Sequence, residues 1–298
     1  MLPTITNIKK NLFVTGIPPD RCYSQIVIES TKPLSHTSQQ LPHSYTLTIP
    51  RVNLNMPAET IQVYDGLLEN INLKEKNNKV TVTIFFAHPT IIDRLSVANP
   101  PYQLIINFNR YFLEQLFWNK LVIIDPGHGG DDNGLRGPVG LWEKEAVLSI
   151  AFQLRKILEL SGAKVWLTRQ GDENMPAEMK IKNLQQQKAQ LYIGLHLRKG
   201  SGSQDGGFAL TIPPQEKQIE KLAADIGLEL AKKLNLQNKG IHTDDGLSAL
   251  GLPAIVAETA TITNAVEEGL LRNSHFQWRT AQAIYNAMIK YFYAKTQS

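Results

Sequence analysis

Two histidines and two glutamates in the second half of the chain have the types and settings of a metal-dependent hydrolytic site. His128 lies in the run Leu121-Val122-Ile123-Ile124-Asp125-Pro126-Gly127-His128-Gly129-Gly130. Four apolar residues, mostly β-branched, predict a short buried strand, and Pro126 with the glycines stops it in an open turn. His196 ends a second such run, Leu191-Tyr192-Ile193-Gly194-Leu195, and Glu258 ends a third, Ala254-Ile255-Val256-Ala257. Glu143 lies one helical turn before Val147, which begins the apolar stripe Val147, Ile150, Ala151, Leu154, Ile157 and Leu158. Its carboxylate therefore points along the face that a helix would bury. An inward carboxylate is costly unless it is paired or bound to a cation. The alternative role for a first-turn glutamate is to complement the helix N-terminus. In a parallel sheet the carboxyl ends of the strands share one edge, where ligand and metal sites collect. Two histidines and one carboxylate make an open zinc set with a position left for water. A second carboxylate could then act as base on that water.

These residues need a frame, and the periodicity supplies one. From Leu121 onward, strand candidates at Leu121–Asp125, Lys164–Thr168, Leu191–His196, Gly207–Ile212 and Ala254–Glu258 alternate with helical patterns. One helix, near Gln215 to Leu234, places Ile219, Leu222, Ala223, Ile226, Leu230 and Leu234 on one face; the C-terminal helix does so with Ala281, Ile284, Tyr285, Met288 and Phe292. The expected fold is α/β, a mostly parallel sheet covered by helices on both faces. Residues before about 110 read in period two: Ile26 and Ile28; Tyr45, Leu47 and Ile49; Val80, Val82, Ile84 and Phe86; Leu104, Ile106 and Phe108. They predict a smaller antiparallel β-sandwich domain. The domains are expected at 1–112 and 113–298, and the joining stretch Arg110 to Lys120 is too apolar for a loose linker. Asp20, Arg21, Asp65, Asp93 and Arg94 read as solvated loop charges, as do the turn acids Asp131, Asp132, Asp244 and Asp245. His242 reads as part of a polar turn. The segment Asn235 to Gly251 has too few apolar residues to dock as a second helix over the site, which predicts an open cleft.

Composition narrows the function. The 298 residues carry a net charge of +4, with lysines scattered rather than stacked, which argues against nucleic acid and suits an acidic polymer such as a cell wall. One cysteine, Cys22, excludes an intrachain disulfide framework and any multi-cysteine zinc site; it reads as a small buried hydrophobe. No transmembrane segment is expected, and the N-terminus shows no secretory signal, since Lys9 and Lys10 interrupt its apolar residues.

The second half resembles the zinc-dependent N-acetylmuramoyl-L-alanine amidases of the bacterial cell wall. The resemblance rests on Ile124-Asp125-Pro126-Gly127-His128-Gly129-Gly130, Gly140-Leu141-Trp142-Glu143-Lys144-Glu145, Leu195-His196, and Pro253-Ala254-Ile255-Val256-Ala257-Glu258-Thr259-Ala260-Thr261-Ile262-Thr263-Asn264, and covers about Leu121 to Tyr293. The first half resembles, as a pattern in Ile26–Pro33, Tyr45–Leu54 and Asn78–Phe86, the AMIN domain that precedes such amidases and is associated with envelope or peptidoglycan targeting. The resemblance implies one Zn²⁺ per chain held by His128, Glu143 and His196, with Glu258 as catalytic base. It implies cleavage of the amide between the lactyl group of N-acetylmuramic acid and L-alanine of the stem peptide. Peptidoglycan would be the substrate, an envelope or divisome protein a partner of the first domain, and the location the periplasm or the cell wall. The chain departs from the family pattern after His196, where Leu197-Arg198-Lys199 stand, after Glu258, where Thr259-Ala260-Thr261 stand, and in Asp244 to Leu250, which lacks the usual arginine. Arg198 and Lys199 become candidates to meet stem-peptide carboxylates. The alternative functions are a catalytically silent wall-binding module and a zinc peptidase acting on another amide of the stem peptide.

Overall fold

The computed structural model describes residues 1–15, 22–97, 100–174 and 188–297. The chain divides into two compact units, Met1–Gln115 and Leu116–Ser298.

Among the described residues, the first unit holds ten strands in two five-stranded sheets. One sheet is ordered β5-β1-β2-β10-β9, from β1 (Thr4–Thr15), β2 (Cys22–Ser30), β5 (Asn53–Leu54), β9 (Ile92–Val97) and β10 (Tyr102–Asn109). The other is ordered β3-β4-β8-β7-β6, from β3 (Thr37–Leu41), β4 (Ser44–Pro50), β6 (Thr60–Gln62), β7 (Leu68–Lys76) and β8 (Lys79–Phe86). All pairings are antiparallel except β1 with β5. The residues that alternate in the sequence are the buried ones, and they meet between the sheets: Tyr45 and Phe86 pack on Phe108 at 6.2 and 6.1 Å between ring centroids. β1 and β3 are two of the strands that carry no such signal. β1 contains the lysine pair, and β3 is an edge strand exposed along its whole length. Neither has the apolar alternation from which a strand is read.

One sequence expectation is overturned here. Asp65 is not a solvated loop charge but fully buried, and its Oδ2 lies 3.1 Å from Nη1 of Arg110, itself 1% exposed. Asp65 also accepts the Ser24 hydroxyl and the backbone N–H groups of Leu67 and Leu68. A charge this deep is tolerable because every side of the carboxylate finds a donor. Asp93 is exposed within β9, and Asp20 and Arg21 lie outside the described residues. Cys22 is buried and free, as expected.

The joining stretch forms a short helix, α1 (Tyr111–Phe117). The second unit is built on a six-stranded sheet ordered β12-β11-β13-β16-β14-β15: β11 (Leu121–Pro126), β12 (Lys164–Leu167), β13 (Leu191–Arg198), β14 (Phe208–Ile212), β15 (Asn238–Thr243) and β16 (Ala254–Thr261). Every pairing is parallel except β14 against β16. Among the described residues the long helices are α2 (Glu143–Leu160), α3 (Lys217–Leu234) and α5 (Ser274–Ala294), with the short α4 (Ala265–Leu271) before the last. α5 packs against both α2 and α3, which in turn lie on strands of the two halves of the sheet. The three therefore form one layer, and the sheet residues with the matching parity, Val122, Ile124, Ile193, Leu195, Ile255 and Ala257, are fully buried. The stripes read from the sequence in all three helices are the buried faces. The opposite parity, Ile123, Tyr192 and Ala254, packs against Leu247 of a 3₁₀ turn, Asp245–Leu250. Asn235 to Gly251 thus forms an edge strand and this turn, and His242 sits in β15 rather than in a turn.

Candidate metal centre

Strand β11 delivers His128 two residues past its end. The chain there adopts a left-handed conformation at three consecutive residues, with φ of +63° at His128, +134° at Gly129 and +56° at Gly130. Glycine enters that region without penalty and histidine does not, so His128 is held by its surroundings. Its Nδ1 lies 2.8 Å from Oδ2 of Asp132, and its Nε2 lies 3.2 Å from Oε2 of Glu143. The Nδ1–Asp132 contact is the usual carboxylate–histidine arrangement behind a metal ligand, and it leaves Nε2 as the ring nitrogen that faces Glu143.

Glu143 opens α2 and is 1% exposed. It points inward along the buried stripe. Its Oε1 lies 3.1 Å from Nδ1 of His196 and accepts the N–H of Leu197 at 2.9 Å; Oε2 accepts the N–H of Leu135 at 2.9 Å. Burial alone would raise its proton affinity. The hydrogen bonds from His128, His196 and the two backbone amides outweigh that and hold the carboxyl far below the usual range. The same contact with Glu143 pushes His128 up to about 9, against the opposing effect of burial and with help from Asp132. The site therefore attracts positive charge to the space between these three side chains.

One donor atom from each of His128, Glu143 and His196 lies within 4.8 Å of the others. Ligand atoms on a tetrahedral ion with bonds of about 2.0–2.1 Å sit about 3.3 Å apart. The 3.1 and 3.2 Å contacts run from His196 and His128 to the two different oxygens of Glu143, so the three side chains converge on one small space. The group can hold a metal ion, and its donor set is that of an open zinc site.

Glu258 stands beside His196, the two being register partners on parallel strands β13 and β16. The sequence reads each of them as the end of its strand, but the pairing continues to Arg198 and Thr261 across an irregularity just after His196. The Glu258 carboxylate makes no hydrogen bond or ion pair among the described residues, whereas Glu143 is saturated. Burial raises its proton affinity, partly offset by Arg198 and His196 nearby. His128, Gly134, Glu143, His196, Thr211, Asp244 and Glu258 line a single cleft of about 460 Å³.

A model of the N-acetylmuramoyl-L-alanine amidase family matches residues 122–290. The chain belongs to this family. The germination-specific N-acetylmuramoyl-L-alanine amidase of Bacillus subtilis is 30% identical over 200 residues, a match that covers 59% of this chain and 81% of the relative. The catalytic domain of CwlV, an N-acetylmuramoyl-L-alanine amidase from Bacillus (Paenibacillus) polymyxa, superposes with a TM-score of 0.54 at 27% identity, covering 58% of this chain and 97% of that one. The CwlD amidase of Clostridioides difficile, solved in complex with the GerS lipoprotein, gives a TM-score of 0.55 at 26% identity, covering 59% and 100%. The chain is thus an N-acetylmuramoyl-L-alanine amidase, a peptidoglycan hydrolase.

Two further sequence candidates in the amidase fall elsewhere. Arg198, expected to meet substrate carboxylates, is instead tied to Oδ2 of Asp205 at 3.2 Å and to the Thr261 hydroxyl at 2.7 Å. Asp205 also pairs with Lys239. Lys199 is exposed, and neither residue lines the cleft. Sequence reasoning missed Asp132, which it took for a solvated acid. Its position four residues after His128, inside a glycine-bounded turn, is the signal that could have found it. It also missed the steric role of two glycines. A Cβ on Gly127 would lie 2.2 Å from Cε1 of His196, and one on Gly134 would lie 2.6 Å from Cδ2 of His128. Asp244 caps the 3₁₀ turn by accepting the N–H of Gly246.

Proposed function

We propose that the amidase cleaves the lactyl–L-alanine amide with one Zn²⁺ held by His128, Glu143 and His196, and with Glu258 as general base. The observation that carries this reading is the contrast between two glutamates 115 residues apart in sequence. Glu143 is fully engaged by donors and strongly acidic, as a ligand must be; Glu258, in the same cleft, has free oxygens and a raised proton affinity, as a base must have. When bound, the ion supplies polarisation of the scissile carbonyl and a more acidic water. Glu258 takes the proton of the attacking water on a carboxylate oxygen and returns it to the leaving nitrogen of L-alanine. Asp132 keeps the His128 proton on Nδ1, and the Leu135 and Leu197 amides fix the Glu143 carboxylate so that it cannot itself swing toward the water. No described helix is long and apolar enough to cross a membrane.

The domain division is read as 1–112 and 113–298, with the first domain an AMIN-like targeting module for the wall or for an envelope protein. This places the enzyme outside the cytoplasmic membrane, in the periplasm or the cell wall, where its polymer is. The strand pattern of the first unit supports that reading, and the CwlD–GerS complex is a precedent for a protein partner in the family. The test is mass spectrometry of purified peptidoglycan after incubation, together with elemental analysis of the protein. Peptides beginning with L-alanine, free lactyl groups on the glycan and one zinc per chain are expected. Cleavage at another amide points to a peptidase. Zinc binding without any cleavage points to a silent wall-binding module. Failure to take up zinc on addition refutes the metal assignment.

A further inference from the structure

We propose that Arg169 is the positioning residue of this metal centre, holding all three ligand-bearing segments at their spacing without touching substrate or metal. The inference rests on the zinc reading above and goes beyond it. Arg169 lies two residues past the end of β12 and is 3% exposed. Its four hydrogen bonds all go to backbone carbonyls. Nε donates to Pro126 at 2.9 Å, Nη1 to Gly171 at 2.9 Å, and Nη2 to Gly127 at 3.0 Å and to Lys144 at 2.7 Å. Pro126 and Gly127 directly precede His128, and Lys144 directly follows Glu143. The third ligand is reached through the same peptide group. Its oxygen, on Pro126, is held by Arg169, while its N–H, on Gly127, donates to the carbonyl of Leu195 at 3.0 Å, one residue before His196.

A buried cation without a carboxylate in hydrogen-bond contact is an expensive choice. Burial lowers its proton affinity, and Asp125, Asp172 and Glu173 offset this only through space. An electrostatic role would set that charge against a carboxylate, and a role in binding substrate would expose it. What the guanidinium offers here is shape: a planar fork reaching carbonyls in three separate segments at once, which a lysine ammonium cannot do. The chain is moulded around it. A Cβ on Gly129, at φ +134°, would come within 2.9 Å of the arginine's Cδ. Asp172, three residues on, reinforces the clasp by bonding the Gly130 N–H and the Lys144 ammonium, each at 2.8 Å.

The test compares the parent, Arg169→Lys and Arg169→Ala in the full chain, with zinc affinity measured by chelator competition and with the visible spectrum of the Co²⁺-substituted proteins. The lysine variant is expected to keep the parent's circular dichroism and lose zinc affinity about 10–100-fold, the usual cost of removing support behind metal ligands. Its Co²⁺ bands should shift, because the ligand geometry relaxes. Millimolar ethylguanidinium is expected to restore affinity and spectrum in Arg169→Ala and to leave the parent unchanged. Parental affinity and spectrum in a folded Arg169→Lys protein would overturn the proposal. So would a loss of folding in both apo variants, which would make Arg169 a residue of the fold alone. A parent that binds no zinc would instead refute the metal assignment, separately from the role of Arg169.

Discussion

Replacing Gly127 by alanine isolates the metal centre from the fold. Gly127 is not among the residues of positive φ, so an alanine backbone is permitted there. The new methyl, however, would fall 2.2 Å from Cε1, 2.5 Å from Nε2 and 2.6 Å from Nδ1 of His196. Ordinary contact begins at 3.4 Å, so the ring must retreat by about 1.2 Å. A catalytic constellation tolerates about 0.5 Å, and a misplacement of about 1 Å costs roughly 10²-fold. Retreat also breaks the 3.1 Å contact between His196 and Glu143. Zinc affinity should therefore fall by about 10²-fold, equivalent to about 2.7 kcal/mol, while thermal unfolding of the apo protein barely changes. The assay is titration against a chromophoric chelator, with release of peptides from purified peptidoglycan as the second readout. Gly202→Ala is the control, because nothing lies within 4 Å of its added methyl. A Gly127→Ala protein whose zinc affinity stays within about threefold of the parent would refute the claim that ligand spacing is set this tightly.

Four other outcomes are expected. Glu258→Gln should keep fold and zinc but lose hydrolysis by about 10²-fold or more, read as turnover of a zinc-loaded protein; retained turnover removes it as base. Asp132→Ala should weaken zinc binding about 10–100-fold, and an unchanged dissociation constant would make its contact with His128 incidental. Arg110→Ala leaves the Asp65 carboxylate buried without its cation and should destabilise the first unit by about 3–5 kcal/mol in urea unfolding; a change below about 1 kcal/mol, the scale of an exposed pair, would contradict the burial. Burial pushes the Cys22 thiol up from about 9 to about 11, with Arg110 pulling it back. This raised value contributes stability that is complete below pH 9 and is lost as pH rises toward 11. Alkylation of native Cys22 at pH 8 should accordingly be slow and should accelerate on unfolding; fast labelling of the native protein would contradict it.

The reach of the sequence differed with the kind of signal each residue leaves. His128 was legible because it stands in the Gly-rich turn that follows a short apolar strand, His196 and Glu258 because each follows an apolar strand run with a polar residue, and Glu143 because it lies on an apolar helical stripe. The helix faces of the catalytic half and four strands of the first half were legible from periodicity. β3 and β15 were not, since an exposed edge strand has no alternation to read, and β1 was not, since its lysine pair breaks the pattern of its buried Ile5 and Ile8. Asp65 was misread because a buried carboxylate is defined by its partners, Ser24 and Arg110, which lie 41 and 45 residues away. Asp132 failed for the opposite reason: its partner is local, but turn acids are common and few of them orient a ligand. Arg169 acts only on backbone carbonyls, and carbonyls leave no trace in a sequence.

The register between β13 and β16 has a consequence for how this gene can vary. His196 and Glu258 stand level on adjacent strands, so their alignment is a matter of counting residues along each one. A single inserted or deleted codon within β16 ahead of Glu258 would bring Ala257 or Thr259 to the cleft and turn the glutamate into the helix layer. Length variants should accordingly accumulate in the surface connections, between β14 and α3 for instance, and be purged from the strands. A library of one-residue insertions, scored for cell-wall lysis, would show this as sharp silent intervals bounded by the strand ends.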